Sequence, residues 1–309
     1  MNSVNIFLPE GRLFSTAENA ENIEFLKRGD KNYPPEAIME ARAVLCDREH
    51  NLHIDLNGMK GIIPREECLL GDTNGNKEIA VISRVNKPVM FMPKEYVTLE
   101  NGERGVLLSR KDAQKFVKEN YLDFLSAGDV IEATVTRLEQ FGAFCDIGAG
   151  ISALLPIDNI SVSRIPHPQA RLKTGEKIKV AVKQRDEFGR IVLTHKELLG
   201  TWEENAGLFE AGETVPGIVR SVEEYGIFVE LTPNLAGLAE FEDGISNGDC
   251  ASVYIKSMNP KKMKIKLIIV DNFPAFDTVS EPKYFIENGH IDRWVYSPDE
   301  CDKKIETIF

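Results

Sequence analysis

The chain has 309 residues, of which 42% are hydrophobic and 28% charged, and this length favours two to four compact units. It has no run of about 18 apolar residues and does not begin with a basic stretch followed by an apolar one, so neither a membrane span nor secretion is indicated and a cytoplasmic protein is expected. The net charge of -12 excludes a uniformly basic nucleic-acid binder, but the acid excess is uneven, since residues 127–199 carry 10 basic and 9 acidic side chains.

The five cysteines are scattered and show no CxxC spacing, which is typical of reduced thiols and excludes a zinc ribbon. Cys46, His50 and His53 have ligand chemistry at close spacing, but residues that alternate along a strand diverge. We therefore expect neither a metal site nor a cofactor.

Residues 1–35 are predicted to form a helical extension. A helix is expected over residues 16–28, because Ser15 with Glu18 three positions later is a capping signal and Gly29 is a typical terminator.

Residues 36–111 are predicted to be the first and most diverged copy of a strand-rich module. Asn101-Gly102 is a strong hairpin signal within it. Aligned with the next copy, His50 and His53 stand where that copy has two phenylalanines.

Two segments between the copies change from the two-residue period of strands to a helical period. Residues 112–126 and 200–210 are therefore predicted to be linkers, both with short helices, that dock on neighbouring barrels. The apolar side of the first linker is predicted to consist of Ala113, Phe116, Val117, Tyr121, Phe124 and Leu125.

Residues 127–199 and 211–272 repeat one pattern without a gap. Each copy begins with a Gly-acid pair, has a valine seven residues after that glycine, and then reads aromatic-Gly-X-Phe. Short β-branched segments separated by Gly, Pro or Asp predict about five strands per copy, which suits a small closed or half-closed barrel. We predict an all-β dominated chain of tandem five-stranded barrels joined by short helices.

Residues 273–309 form a predicted C-terminal extension. Its segment HIDRWVY is compatible with a strand, and its composition assigns it no function.

The aromatic-Gly-X-Phe pattern has two interpretations. Positions i and i+3 of a regular strand point to opposite faces, so Phe141 and Phe144 would be split between core and solvent. Gly142 allows a bulge that resets this alternation and turns both rings outward, where they can stack on successive bases. Core packing is the usual role of a single strand aromatic, but repetition of the glycine and both rings favours the surface.

The repeated pattern resembles the S1 RNA-binding domain, an OB-fold module. The resemblance is carried by the Gly-acid start, the Phe-Gly-Ala-Phe stretch, and the later segments ISALLP, GEKIKV and GRIVLT. It covers residues 127–197 well, 211–270 fairly and 36–111 loosely. With three such copies the chain resembles a short member of the bacterial ribosomal protein S1 group, which implies OB-fold barrels.

The resemblance also implies an RNA surface of two aromatics on the second strand, a His after the next strand, and an Asp and a basic residue beside the last turn. In the second copy the matching residues are Phe141, Phe144, Asp186 and Arg190. Pro156 stands at the His position. His167, which has Arg164, Arg171 and Lys173 near it in sequence, is either a substitute or a loop histidine without a role.

In the third copy Tyr225 and Phe228 match the aromatic pair, and Glu240 replaces the His. Alternation predicts that Lys262, Lys264 and Lys266 share one strand face. They form either a phosphate track or a solvated edge that prevents aggregation.

Residues and resemblance together predict a protein that binds single-stranded RNA with little sequence preference, in translation or RNA metabolism. The small ribosomal subunit is a candidate partner, no membrane partner is expected, and a monomer is favoured. The first copy is expected to bind RNA weakly or to dock a protein. The alternative for the whole chain is a protein-docking adaptor for the ribosome or an RNA-decay enzyme. No P-loop, GxSxG or HExxH motif occurs, so no enzymatic activity is expected.

Overall fold

The computed structural model describes residues 7–29, 37–71, 77–274 and 282–309. Parts of the predicted extensions, residues 1–6, 30–35 and 275–281, lie outside the described residues. Contacts divide the chain into two compact units. The first comprises Met1–Leu125, Glu132–Thr134 and Asp146–Ser152, and the second comprises Ser126–Ile131, Val135–Cys145 and Ala153–Phe309.

The first unit begins with helix α1, Ala17–Arg28, close to the predicted bounds. Its cap differs from the prediction, because Thr16 rather than Ser15 accepts the backbone N–H of Asn19. Gly29 ends the helix in the left-handed conformation at φ 77°, which favours glycine. Ile23 and Leu26 are buried in the core of the barrel that follows.

The first barrel contains β1 (Met39–Cys46), β2 (Leu52–Asp55), β3 (Lys60–Ile63), β4 (Pro88–Thr98) and β5 (Arg104–Ser109). Helix α2, Lys77–Ile82, precedes β4. The predicted hairpin at Asn101-Gly102 joins β4 to β5.

Helix α3, Arg110–Asn120, follows the first barrel, and Ser109 caps it by accepting the N–H of Asp112. Ala113 and Val117 are buried as predicted, but Phe124 is 76% exposed. The prediction was wrong for Phe124 because the helix ends at Asn120 and Tyr121 adopts φ -138°, which changes the phase of the residues that follow. Leu122 is buried instead.

The second barrel contains β6 (Val130–Glu139), β7 (Gly142–Asp146), β8 (Ser152–Pro156), β9 (Lys177–Arg185) and β10 (Ile191–Thr194). The short helix α4, Trp202–Ala206, begins with a capping box between Thr201 and Glu204. The third barrel contains β11 (Thr214–Glu223), β12 (Gly226–Thr232), β13 (Leu235–Ala239), β14 (Cys250–Asn259) and β15 (Lys264–Phe273).

Within the described residues, these strands form three closed five-stranded barrels with one topology. In each barrel the first strand pairs with the second and fourth, and the third strand pairs with the second and, in parallel, with the fifth. The predicted fold class, tandem OB-type barrels, is confirmed. Closure leaves no free sheet edge on a barrel.

The Gly-acid pair at the start of each later barrel has a local role. Gly128 and Gly212 have φ of 95° and 102°, a conformation that favours glycine. The acid that follows accepts a backbone N–H from three residues earlier, Ser126 for Asp129 at 2.7 Å and Glu210 for Glu213 at 2.8 Å. The repeated pair therefore marks a turn that delivers the chain into the first strand.

The C-terminal tail is part of the second unit. Its strands β16 (Arg293–Val295) and β17 (Glu306–Ile308) pair antiparallel, so the predicted strand near residue 294 is present. The Ile291 N–H donates to the Gly128 carbonyl at 2.9 Å, before the second barrel, and the Tyr296 hydroxyl donates to the Asn234 carbonyl at 2.6 Å, in the third. The tail therefore contacts both barrels of this unit.

None of the helices in the described ranges is long and apolar enough to cross a membrane.

Candidate nucleic-acid interface

The first ring of the second barrel lies in a turn rather than on a strand. β6 ends at Glu139 and β7 begins at Gly142, so Phe141 occupies the two-residue turn between them. Phe141 is 56% exposed, and Phe144, on β7, is half-buried. The two ring centroids are 6.0 Å apart with the planes at 89°, an edge-to-face pair. The structure thus brings the two predicted rings together.

The third barrel repeats this arrangement. Tyr225 lies in the turn between β11 and β12 and is 69% exposed, and Phe228 is half-buried on β12. Their centroids are 6.2 Å apart with the planes at 84°.

The glycine of the aromatic-Gly-X-Phe pattern has a role other than the predicted bulge. Gly226 pairs regularly with Glu223, and the register shift of that hairpin lies on β11, between Val219 and Ser221. A Cβ at Gly226 would collide with the carbonyl oxygen of Ala239, and one at Gly142 with that of Leu155. The bulge prediction is therefore wrong for Gly226, and in both barrels the glycine allows close approach of the third strand.

A cation beside the ring pair of the second barrel was not predicted. The Arg137 guanidinium lies 4.6 Å from the centroid of Phe144, and its Nε is 3.1 Å from Glu139. Arg137 faces outward on β6, the strand that pairs with the aromatic strand. Strand alternation from the buried Val135 would point Arg137 inward, so the sequence carried no signal for its outward position.

Asp186 and Arg190 face each other across the turn from β9 to β10. The Asp186 carboxylate accepts the Arg190 Nε–H at 2.7 Å and the backbone N–H groups of Arg190 and Phe188, each at 2.9 Å. Desolvation raises the pKa of Asp186, but these hydrogen bonds outweigh it and hold the pKa below its usual value. The carboxylate is therefore ionised at neutral pH, and it accepts three hydrogen bonds from residues of its own turn.

The third barrel presents lysines where the second presents this pair. Lys264 and Lys266 point outward from β15 and alternate with the buried Ile265 and Leu267. Lys262 is exposed but belongs to a 3-10 turn, Pro260–Lys262, so the prediction that it shares the strand face is wrong. Met263, at φ 46°, separates it from the strand.

The register of the third barrel connects ring and cation. Phe228 lies opposite Leu238, and Leu238 lies opposite Lys266. Directly paired residues project to the same face of a sheet, so these three side chains form a row across the outer surface of β12, β13 and β15. The row therefore places an aromatic ring and a cation on one outer face of the barrel.

Two residues suggested near the site make contacts within the protein. His167 caps the 3-10 turn Pro168–Ala170, with its Nδ1 accepting the Gln169 N–H at 3.1 Å. Arg171 forms a bidentate ion pair with Glu230, and its side chain is 8% exposed. Arg171 is thus committed to the contact between the second and third barrels.

The first barrel lacks the ring pair. His53, at the position of the second ring, is paired by register with Ile62, and Ile62 with Leu107, so its row ends in a leucine instead of a lysine. The His53 Nε2 lies 2.9 Å from the Asp47 carboxylate, which occupies one edge of the imidazole. His50, at φ 65°, lies in the turn before β2.

Comparison with known proteins identifies the second barrel. A model of the S1 RNA-binding domain family matches residues 125–196. The chain is 32% identical over 240 residues to small ribosomal subunit protein bS1 of Leuconostoc lactis, covering 74% of this chain and 52% of that protein. It is 31% identical over 215 residues to the protein of the same name from Staphylococcus aureus strain COL, covering 63% and 55%.

The chain spans about half the length of these relatives. Among solved structures, GSP13 from Bacillus subtilis is similar over 23% of this chain and 55% of its own, with 27% identity and a TM-score of 0.22.

Proposed function

Because this chain carries an S1 RNA-binding domain at residues 125–196 and two further barrels of the same topology, we propose that it is a non-enzymatic protein that binds single-stranded RNA with low sequence specificity. The observation that carries the proposal is the recurrence, in the second and third barrels, of an exposed ring in the first turn held edge to face by a ring on the second strand. These positions coincide with the second-strand face and the first-turn loop that OB folds use for oligonucleotides.

Stacking explains the low specificity that we propose. Every base has an apolar face, so a ring pair accepts any unpaired base and rejects bases that are stacked in a duplex. The outward lysines of the third barrel add phosphate contacts that are equally independent of sequence.

The partner and location proposed here follow from the relatives. Two of them are named small ribosomal subunit protein, so we propose the small ribosomal subunit as a partner and the cytoplasm as the location. We also propose that the chain binds mRNA as a monomer. The first barrel, whose His53 is tied to Asp47, is proposed to contribute little to RNA binding and to be available for a protein contact.

Fluorescence anisotropy with a labelled single strand of about 12 nucleotides tests the proposal. The parent is compared with Phe141→Ala/Phe144→Ala, Tyr225→Ala/Phe228→Ala and the control Phe124→Ala, an exposed ring outside the barrels. Removal of either ring pair is expected to weaken binding by about fivefold or more, whereas the control should bind as the parent does. Absence of binding by the parent at low salt, or unchanged binding by both double variants, would refute RNA stacking. Co-sedimentation with ribosomes would then test the docking adaptor.

A further inference from the structure

The turn between β9 and β10 carries an exposed ring that the repeated pattern does not include. Phe188 is 71% exposed at the centre of a three-residue loop, Glu187, Phe188 and Gly189. Asp186 and Arg190 close the loop, with the Asp186 N–H donating to the Arg190 carbonyl at 2.9 Å and the Gly189 N–H donating to the Asp186 carbonyl at 2.9 Å. Gly189 has φ 73°, so this is a turn completed by a left-handed glycine.

The same loop occurs in the first barrel without an aromatic residue. Leu99 and Glu103 close it with the same pair of hydrogen bonds, both 2.8 Å, and Gly102 has φ 80°. Asn101 stands at the position of Phe188. The backbone of the loop therefore does not require a ring, and its conformation does not explain why Phe188 is there.

The ring of Phe188 is not isolated on the surface. The Arg190 guanidinium lies 4.9 Å from its centroid, and the Arg190 Nε–H is bonded to Asp186, which holds the guanidinium in place. The Arg190 side chain is itself 70% exposed. Phe188 and Arg190 thus present two adjacent flat groups to solvent, on the loop before the fifth strand that OB folds use together with the first-turn loop.

The charge of Arg190 is already neutralised. Asp186 is ionised, since its pKa is held below the usual value, and it pairs directly with the guanidinium. A neutral pair releases few counterions from a nucleic acid, whereas the planar guanidinium still stacks well on a base. The turn of the third barrel has the opposite character, because it carries Lys261 and Lys262 and no aromatic residue.

We propose that Phe188 and Arg190 form a second stacking platform in the second barrel, which holds one unpaired base of the RNA in addition to those on Phe141 and Phe144. The inference rests on the proposed function and assigns Arg190 to base stacking instead of phosphate contact. Its ligand is the face of a nucleobase in a single strand, without preference for base identity.

Anisotropy with a labelled single strand of about 12 nucleotides tests this platform, with Phe188→Asn as the main variant. This change installs the residue that the first barrel carries in the same loop, so the fold is retained, as circular dichroism will verify. Binding is expected to weaken by about fivefold or more, and the slope of log affinity against log salt is expected to stay unchanged. Phe124→Ala is the control for loss of an exposed ring.

Arg190→Lys distinguishes stacking from phosphate contact, because it keeps the charge and removes the plane. A stacking role predicts weaker binding, whereas a phosphate role predicts binding equal to the parent. Equal binding by Phe188→Asn, or by Arg190→Lys, overturns this inference, and the proposed function survives if Phe141→Ala/Phe144→Ala still binds less. A parent that fails to bind overturns both.

Discussion

The Tyr284 hydroxyl in the tail lies 3.1 Å from Nε2 of His195, which follows the last strand of the second barrel. The same hydroxyl accepts the Lys179 backbone N–H at 3.0 Å, and the other imidazole nitrogen, Nδ1, lies 3.1 Å from the Ile160 carbonyl. Since a carbonyl only accepts, Nδ1 carries the proton and Nε2 accepts from the phenol. The buried imidazole is therefore neutral, and its hydrogen bond with Tyr284 joins the tail to the second barrel.

Tyr284→Phe removes this contact with little change of volume. The variant leaves the Lys179 N–H and the His195 Nε2 without their partner, so we expect the free energy of unfolding to fall by about 1–3 kcal/mol. Urea denaturation measures the loss. Tyr254→Phe, on the outer face of the third barrel, is the matched control and should unfold as the parent does. Equal stability of the two variants would contradict the role of Tyr284.

The pKa values of two histidines in the second unit are shifted in opposite directions. Burial lowers the pKa of His195 to about 4, whereas the hydrogen bond to Asp129, at 2.6 Å, raises the pKa of His290 above its usual 6.5. A titration of the imidazole NMR signals should show His290 charged and His195 neutral between pH 5 and 6. A His195 signal that titrates near pH 6.5 would disprove its buried, neutral state.

The shift of His195 also makes stability depend on pH. In the unfolded chain this imidazole takes up a proton near pH 6.5, and in the folded protein only near 4. Its contribution is therefore complete above pH 6.5 and is lost as pH falls from 6.5 to 4. The difference in unfolding free energy between the parent and His195→Gln should shrink across this interval and stay constant above it.

Glu230→Gln tests the Arg171–Glu230 ion pair between the second and third barrels together with the Arg220–Glu230 pair within the third. Glu230 is buried between Arg171 and Arg220, so the amide leaves two guanidinium groups facing each other without a counter-charge. We expect the free energy of unfolding to fall by roughly 3–5 kcal/mol, measured by urea denaturation. Glu287→Gln breaks the exposed pair with Lys179 and should change stability little. A small effect of Glu230→Gln would mean that the two arginines find other partners.

The lysines of the third barrel should control the salt dependence of RNA binding. Lys264→Ala/Lys266→Ala removes two outward cations, so the slope of log affinity against log salt is expected to become shallower by about 1.4. Lys115→Ala, an exposed lysine on α3, is the control and should leave the slope unchanged. If the double variant keeps the parent slope, these lysines form a solvated face and not a phosphate track.

Repetition made the fold predictable. A Gly-acid turn, a valine at a constant offset and an aromatic-Gly-X-Phe stretch are local signals, and each barrel forms from strands that such turns connect. The ring pairs were predictable for the same reason, although the position of the first ring in the turn was not. Phe188 was missed because it occurs in one copy only, where a search for repeated residues does not find it.

Local sequence patterns could not reveal which charged side chains are exposed and which are buried in ion pairs with distant residues. Arg171 and Arg190 look alike in the sequence, but Arg171 is bonded to Glu230, 59 residues away, and is buried, whereas Arg190 pairs within its own turn and stays exposed. The tail depends on similarly distant partners, since Tyr284 is 89 residues from His195.

The periodicity and turns of the sequence therefore predict the strands, the repeated barrels and the ring pairs, because the signals for strands, turns and rings lie a few positions apart and recur in each copy. Which cations remain free for a phosphate, which histidine is neutral and where the tail is fastened depend on the folded chain, because burial and pairing are properties of groups that meet only when distant segments pack together.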